Sequence, residues 1–90
     1  MAVIGIFEAA DATQAQYEQV RDEVTPGNKV PPGLLYHAAG QSENGFCVVE
    51  VWESQEAMDR FFQEALGSAL QRAGINVVPR IFQATNTMSP

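Results

Sequence analysis

An α+β fold with elements in the order β-α-β-β-α-β is predicted by three observations. Short β-branched and aromatic runs recur at residues 3–7, 34–39, 46–52 and 77–84. Helix-start signals followed by apolar residues at three- and four-residue spacing separate the first run from the second and the third from the fourth. An Asn-Gly pair lies between the two middle runs and marks a hairpin. This is the order of a ferredoxin-like domain with one four-stranded antiparallel sheet.

The first strand, residues 3–7, is short, apolar and stopped by a helix start, which makes it a central strand. Asp11 and Gln14 form an Asp-x-x-Gln capping box. Thr13, Tyr17, Val20 and Val24 then stack on one face of a helix over residues 12–24. Three prolines and two glycines between residues 25 and 33 forbid continued helix, so the chain crosses to the sheet as a loop. Strands over 34–39 and 46–52 flank Asn44-Gly45, whose residues tolerate positive φ. A register with Leu34 opposite Trp52 and Tyr36 opposite Glu50 puts Leu35, His37 and Ala39 on the face of Cys47, Val49 and Val51. A slip of one residue reverses that assignment. Ser54 is a good N-cap, Glu56 complements the helix dipole, and Met58, Phe61, Phe62, Leu66 and Leu70 belong to a broad apolar stripe on the second helix. Gly67 inside it costs about 1 kcal/mol relative to alanine and marks a kink or a close contact. Gly74 is the expected C-terminal cap. The last strand carries Pro79, which cannot donate to a ladder and so belongs on an edge or at a bulge. Residues 85–90 are polar and expected to fray.

The 90 residues are expected to form a single domain, and a core of that size is marginal alone. In the strand FCVVEVW, Cys47, Val49 and Val51 alternate with Phe46, Val48, Glu50 and Trp52, so both faces are largely apolar. The chain's own helices cover one face, and the second needs another chain. A homodimer is expected through the face carrying Tyr36, Glu50 and Trp52, where the aromatic rings gather. Five basic against eleven acidic side chains oppose binding to nucleic acid or to anionic membrane surfaces. The N-terminus has no basic leader, and its apolar run is too short for a membrane span, so a cytoplasmic location is expected. Cys47, the single cysteine, reads as a small buried hydrophobe.

The stretch Glu50-Val51-Trp52-Glu53-Ser54-Gln55-Glu56-Ala57 resembles the Glu-x-Trp-x-Ser strand end of the antibiotic-biosynthesis-monooxygenase-like branch of the dimeric α/β barrel superfamily. Pro32-Gly33-Leu34-Leu35-Tyr36 resembles that family's entry to the second strand. The resemblance covers nearly the whole chain. It implies two sheets meeting face to face as a barrel with helices outside, and a substrate cavity between sheet and helices. Many members place a histidine early in the second helix, where this chain has Phe61. The resemblance therefore implies neither a proton donor nor a haem ligand there.

His37, the only histidine, is the candidate catalytic base, because an imidazole suits proton transfer near neutral pH. A core histidine hydrogen-bonded to a neighbour is the other reading. Tyr17 is the candidate for orienting a substrate, with Met58, Phe61, Phe62 and Val49 as candidate walls of an apolar pocket or as plain core. Glu50 and Arg80 lie inside strands and need partners. They are expected to form a structural ion pair, within or between subunits, a catalytic carboxylate being the other reading. One histidine and one cysteine offer no metal-ligand spacing, and no nucleotide-binding glycine pattern or nucleophile elbow is present, so no cofactor or metal is expected. Two functions stay open: a cofactor-independent monooxygenase acting on an aromatic or polyketide-like molecule, implied by the resemblance, and a non-catalytic dimer that binds a small apolar ligand or serves as an accessory subunit.

Overall fold

In the computed structural model, which describes residues 1–90, β1 (Val3–Ala9), β2 (Leu34–Ser42), β3 (Gly45–Trp52) and β4 (Val78–Gln83) form one antiparallel sheet in the order β2-β3-β1-β4. β1 is central and β4 is an edge, so Pro79 sits where a missing N–H costs least. Helix α1 (Gln14–Val24) connects β1 to β2. The second connection is helix α2 (Gln55–Phe61), a π turn (Phe62–Leu66) and helix α3 (Gly67–Ala73). The π turn explains Gly67: a Cβ there would lie 3.1 Å from both the Phe62 carbonyl oxygen and its ring. Gly74 ends α3 at φ 72°, a left-handed conformation in which a side chain is strained. The cap of α1 is not Asp11. Thr13 accepts from the Gln16 N–H and Gln16 Oε1 accepts from the Thr13 N–H, a capping box two residues later than expected, because a turn closed by Ala12 N–H to Ala9 O leads the chain out of β1 first.

The helices cover the face formed by Val3, Phe7 and Ala9 of β1 and by Phe46, Val48, Glu50 and Trp52 of β3. Trp52 is fully buried, in contact with Val3 and Met58 and with its ring centroid 5.5 Å from that of Phe61. Removing such a side chain costs about 3–5 kcal/mol. This corrects the expected dimer face, since Trp52 and Glu50 lie beneath the chain's own helices. The reason is chemical as well as steric: the Trp52 indole N–H donates to Glu50 Oε1 at 2.9 Å, so the two polar groups satisfy each other inside the core. The opposite face, carrying Ile4, Ile6, Tyr36, Cys47, Val49, Val51 and Phe82, has no helix over it. Tyr36 is 64 % exposed and Val49 37 % exposed there. Cys47 is half-buried on this face. The expected Glu50–Arg80 pair does not form: Arg80 pairs with Glu8 at 3.0 Å on the uncovered side. Between the helices, Arg72 of α3 pairs with Glu23 of α1, and the Gln16 amide donates to the Ala73 carbonyl. No helix is long and apolar enough to cross a membrane.

Candidate functional site

The site begins with an irregularity in β2. Gly33, at φ 89°, carries the chain close to the start of α2. A Cβ there would meet the Ala57 Cβ at 2.6 Å, and the Glu53 N–H donates to the Gly33 carbonyl at 2.8 Å. Leu34 then pairs with Trp52, but a bulge at Leu35 inserts one residue before Tyr36 pairs with Val51 and His37 with Glu50. The extra residue turns His37 to the helix side and Tyr36 to the open side. The expected register therefore holds at Leu34 and fails beyond it. His37 still faces the helices because the helices lie on the other face of β3 from the one expected, so the two differences cancel.

Helix α1 brings Tyr17 over this point. Its ring packs on Phe46 at a centroid distance of 4.9 Å and stacks beside His37 at 6.1 Å. A continuous hydrogen-bonded chain results. His37 Nδ1 lies 2.8 Å from Glu50 Oε2, and Tyr17 Oη lies 2.7 Å from His37 Nε2. With Glu50 ionised, Nδ1 carries the hydrogen and donates to the carboxylate, which leaves Nε2 as the acceptor for the Tyr17 hydroxyl. Glu50 is 6 % exposed, and each of its oxygens has a partner, one from His37 and one from Trp52. A buried carboxylate held on both oxygens fixes the imidazole's tautomer and plane. Burial raises the Tyr17 phenol above its ordinary 10.0; the nearby Arg21 guanidinium opposes this and the Glu50 charge adds to it. Tyr17 is therefore a neutral hydroxyl at physiological pH.

Tyr17, His37 and Glu50 border a cavity of about 350 Å³ between the sheet and the helices, with 17 of its 24 lining residues hydrophobic. That volume lies within the range of about 300–1,000 Å³ that holds small organic molecules. Its apolar walls include Phe7, Val20, Val48, Phe61, Leu66 and Leu70. Of the residues singled out from sequence, His37, Tyr17 and Phe61 line it together. Met58 and Phe62 do not. They border a neighbouring cavity of about 330 Å³ that shares Phe7, Glu50, Phe61, Leu66 and Val77 with the first. Val49 is excluded, because it points to the uncovered face of the sheet. Glu50 and Trp52, expected at the dimer face, lie here instead: Glu50 holds the imidazole and Trp52 holds Glu50. The alternation Phe46, Val48, Glu50, Trp52 contained that grouping, but nothing in sequence marked the bulge that brings His37 into line with it.

No protein-family model matches the chain, and no curated protein matches it. Solved structures do. SnoaB, a cofactor-independent oxygenase from Streptomyces nogalater, superposes with a TM-score of 0.63 at 18 % identity, over 99 % of this chain and 96 % of that one. A Deinococcus radiodurans protein described as a candidate antibiotic biosynthesis monooxygenase gives 0.68 at 15 % identity over 100 % and 98 %. A dimeric ferredoxin-like protein of unknown function from Thermobifida fusca gives 0.68 at 20 % identity over 93 % and 92 %. At these identities the likeness establishes the fold, and the chain has the ferredoxin-like fold of antibiotic-biosynthesis-monooxygenase-like structures.

Proposed function

We propose that this protein binds a small aromatic or polyketide-like molecule in the cavity between sheet and helices and oxygenates it without a cofactor, with His37 as the base. The observation that carries this reading is the Tyr17–His37–Glu50 chain opening on an apolar cavity. A substrate with a benzylic CH₂ made acidic by conjugation through its flanking aryl rings to a ketone loses a proton toward His37 Nε2. Tyr17 passes its own hydrogen to Nε2 as it takes the substrate's, so no free phenolate forms on a residue whose ionisation burial disfavours. Glu50 stabilises the imidazolium. The carbanion transfers one electron to O₂, and recombination forms a C–O bond and a peroxide anion, which takes the proton back from the His37 imidazolium through Tyr17 to give a hydroperoxide. Loss of the second C–H proton with cleavage of the O–O bond releases water and leaves a ketone. The apolar walls keep bulk water from quenching the carbanion. SnoaB, of the same fold, is a cofactor-independent oxygenase, which supports the assignment of reaction class.

The test is oxygen consumption with an anthrone, a tricyclic ketone carrying such a CH₂. His37→Ala and His37→Gln are expected to lose about 10²–10⁴-fold in kcat/KM. The glutamine variant keeps an N–H donor near Glu50, so its loss is not a folding defect. Full turnover by either variant removes His37 from the mechanism. Binding of the anthrone without oxygen uptake by the wild-type protein would favour ligand binding without catalysis. The same proposal includes a second copy of the chain on the uncovered sheet face, where Tyr36, Val49 and Phe82 lie exposed.

A further inference from the structure

Two of the five cationic side chains in this acidic protein, Arg21 and Lys29, border the cavity. Of its eleven acidic side chains only Glu50 does, and that carboxylate is taken up by His37 and Trp52. Apart from Tyr17, His37 and Glu50, and Tyr36 next to His37 on β2, the polar wall residues are Arg21, Thr25, Asn28 and Lys29, all from the end of α1, the 3-10 turn at Pro26–Asn28 and the residue that follows it. The polar groups therefore fall in two places, the relay and this rim, with hydrocarbon between. Thr25 Oγ1 is occupied, donating to the Arg21 carbonyl. Lys29 is exposed and joins none of the protein's ion pairs. Arg21 spends Nε and one Nη on Asp22, its exposed neighbour in sequence, an ion pair of a kind worth little to stability. Its remaining N–H donors are not used by that contact.

We infer that the cavity selects a ligand bearing a carboxylate, with the aromatic body against the apolar walls and the anionic end at Lys29 and Arg21. This rests on the reading of the cavity as a ligand site and narrows its substrate class to aromatic acids. An ammonium serves as a point charge and a guanidinium as a fork, and together they match a carboxylate whose ring lies deeper in the cleft. The chain's net charge of −6 repels anions at long range, so two cations gathered at one cavity confer a local preference that the surface as a whole does not.

The experiment compares 2-naphthoate with 2-naphthylmethanol, which share a ring system and differ in charge, by calorimetry at low ionic strength. The ring protons of His37 are followed by NMR to place the probe. Wild-type protein is expected to bind the acid about tenfold more tightly than the alcohol. Lys29→Gln is expected to shrink that ratio about threefold or more and Lys29→Glu to abolish it. Arg60→Gln, the same charge change on α2 away from the cavity, leaves the ratio as in wild type. Equal affinities in wild type, or a ratio indifferent to both Lys29 variants, overturns the charge selection while leaving the cavity as an aromatic site. Failure of both probes to bind or to move the His37 resonances overturns the ligand site itself, and the selection with it.

Discussion

Because Glu50 is buried and accepts from both Trp52 Nε1 and His37 Nδ1, the imidazole is held in one tautomer, and its free nitrogen is the one beside Tyr17. In the proposed reaction a proton leaving the substrate would reach Nε2 through the Tyr17 oxygen, which sits 2.7 Å away. Tyr17→Phe keeps the ring that packs on Phe46 but breaks this path. It is expected to lower kcat about 10²-fold with little change in KM, measured by oxygen uptake. An unchanged kcat would mean that substrate reaches His37 directly. The same substitution has a signature in stability. The folded phenol ionises above its ordinary 10.0, so on the alkaline side of that value the native state retains a proton that the unfolded chain has lost. The stability this contributes is fully present below pH 10.0 and is lost as pH rises through the folded value. Tyr17→Phe should therefore show a smaller fall in Tm than wild type as pH rises above 10.0.

Among the elements, the helices and strands were legible because their signals are local: Ser54 and Gly74 at helix ends, Pro79 on an edge strand, Asn44-Gly45 at the hairpin. The face of β3 was not, because both of its faces are apolar. The choice is made by partners distant in sequence, with Met58 and Phe61 covering Trp52. Nor was the start of α1, since Asp11-x-x-Gln14 and Thr13-x-x-Gln16 are both capping patterns and the turn out of β1 selects the second. Least legible was the bulge at Leu35, on which the site depends: it turns His37 onto the face of Glu50, whereas Val49 is excluded by which face of β3 the helices cover. Gly33 leads into that bulge, and its positive φ and contact with Ala57 make a further prediction. Gly33→Ala should cost about 1–3 kcal/mol in urea unfolding, from the left-handed backbone alone. The clash with the Ala57 methyl group, 2.6 Å from the new Cβ, adds to this, and Ala57→Gly should recover that added part while the backbone cost remains. A Gly33→Ala protein of wild-type stability would show that the chain enters β2 by another path.

At the scale of the whole molecule, one sheet face is roofed by helices and the other is bare, and the two have been given different work. The roofed face holds the buried carboxylate, the indole and the cavity. The bare one holds Ile4, Ile6, Val49 and Val51 across its centre, with the Glu8–Arg80 pair toward β4. An apolar centre with charges at the margin is the layout of a protein interface. A sheet hydrophobic on both faces must bury the second against something, and the face is self-complementary only in a two-fold arrangement of identical chains. The expected particle is therefore a dimer of twice the 9.8 kDa chain mass by light scattering. Val49 is the residue to change: it lies on β3, an inner strand, and at 37 % exposure it carries none of the core under the helices. Val49→Glu should yield a folded 9.8 kDa species whose Tyr17–His37 contact survives by NMR, since that contact is on the other side of the sheet. A Val49→Glu protein that remains dimeric would place the interface elsewhere. A wild-type protein that runs as a single chain would leave this face to a different partner.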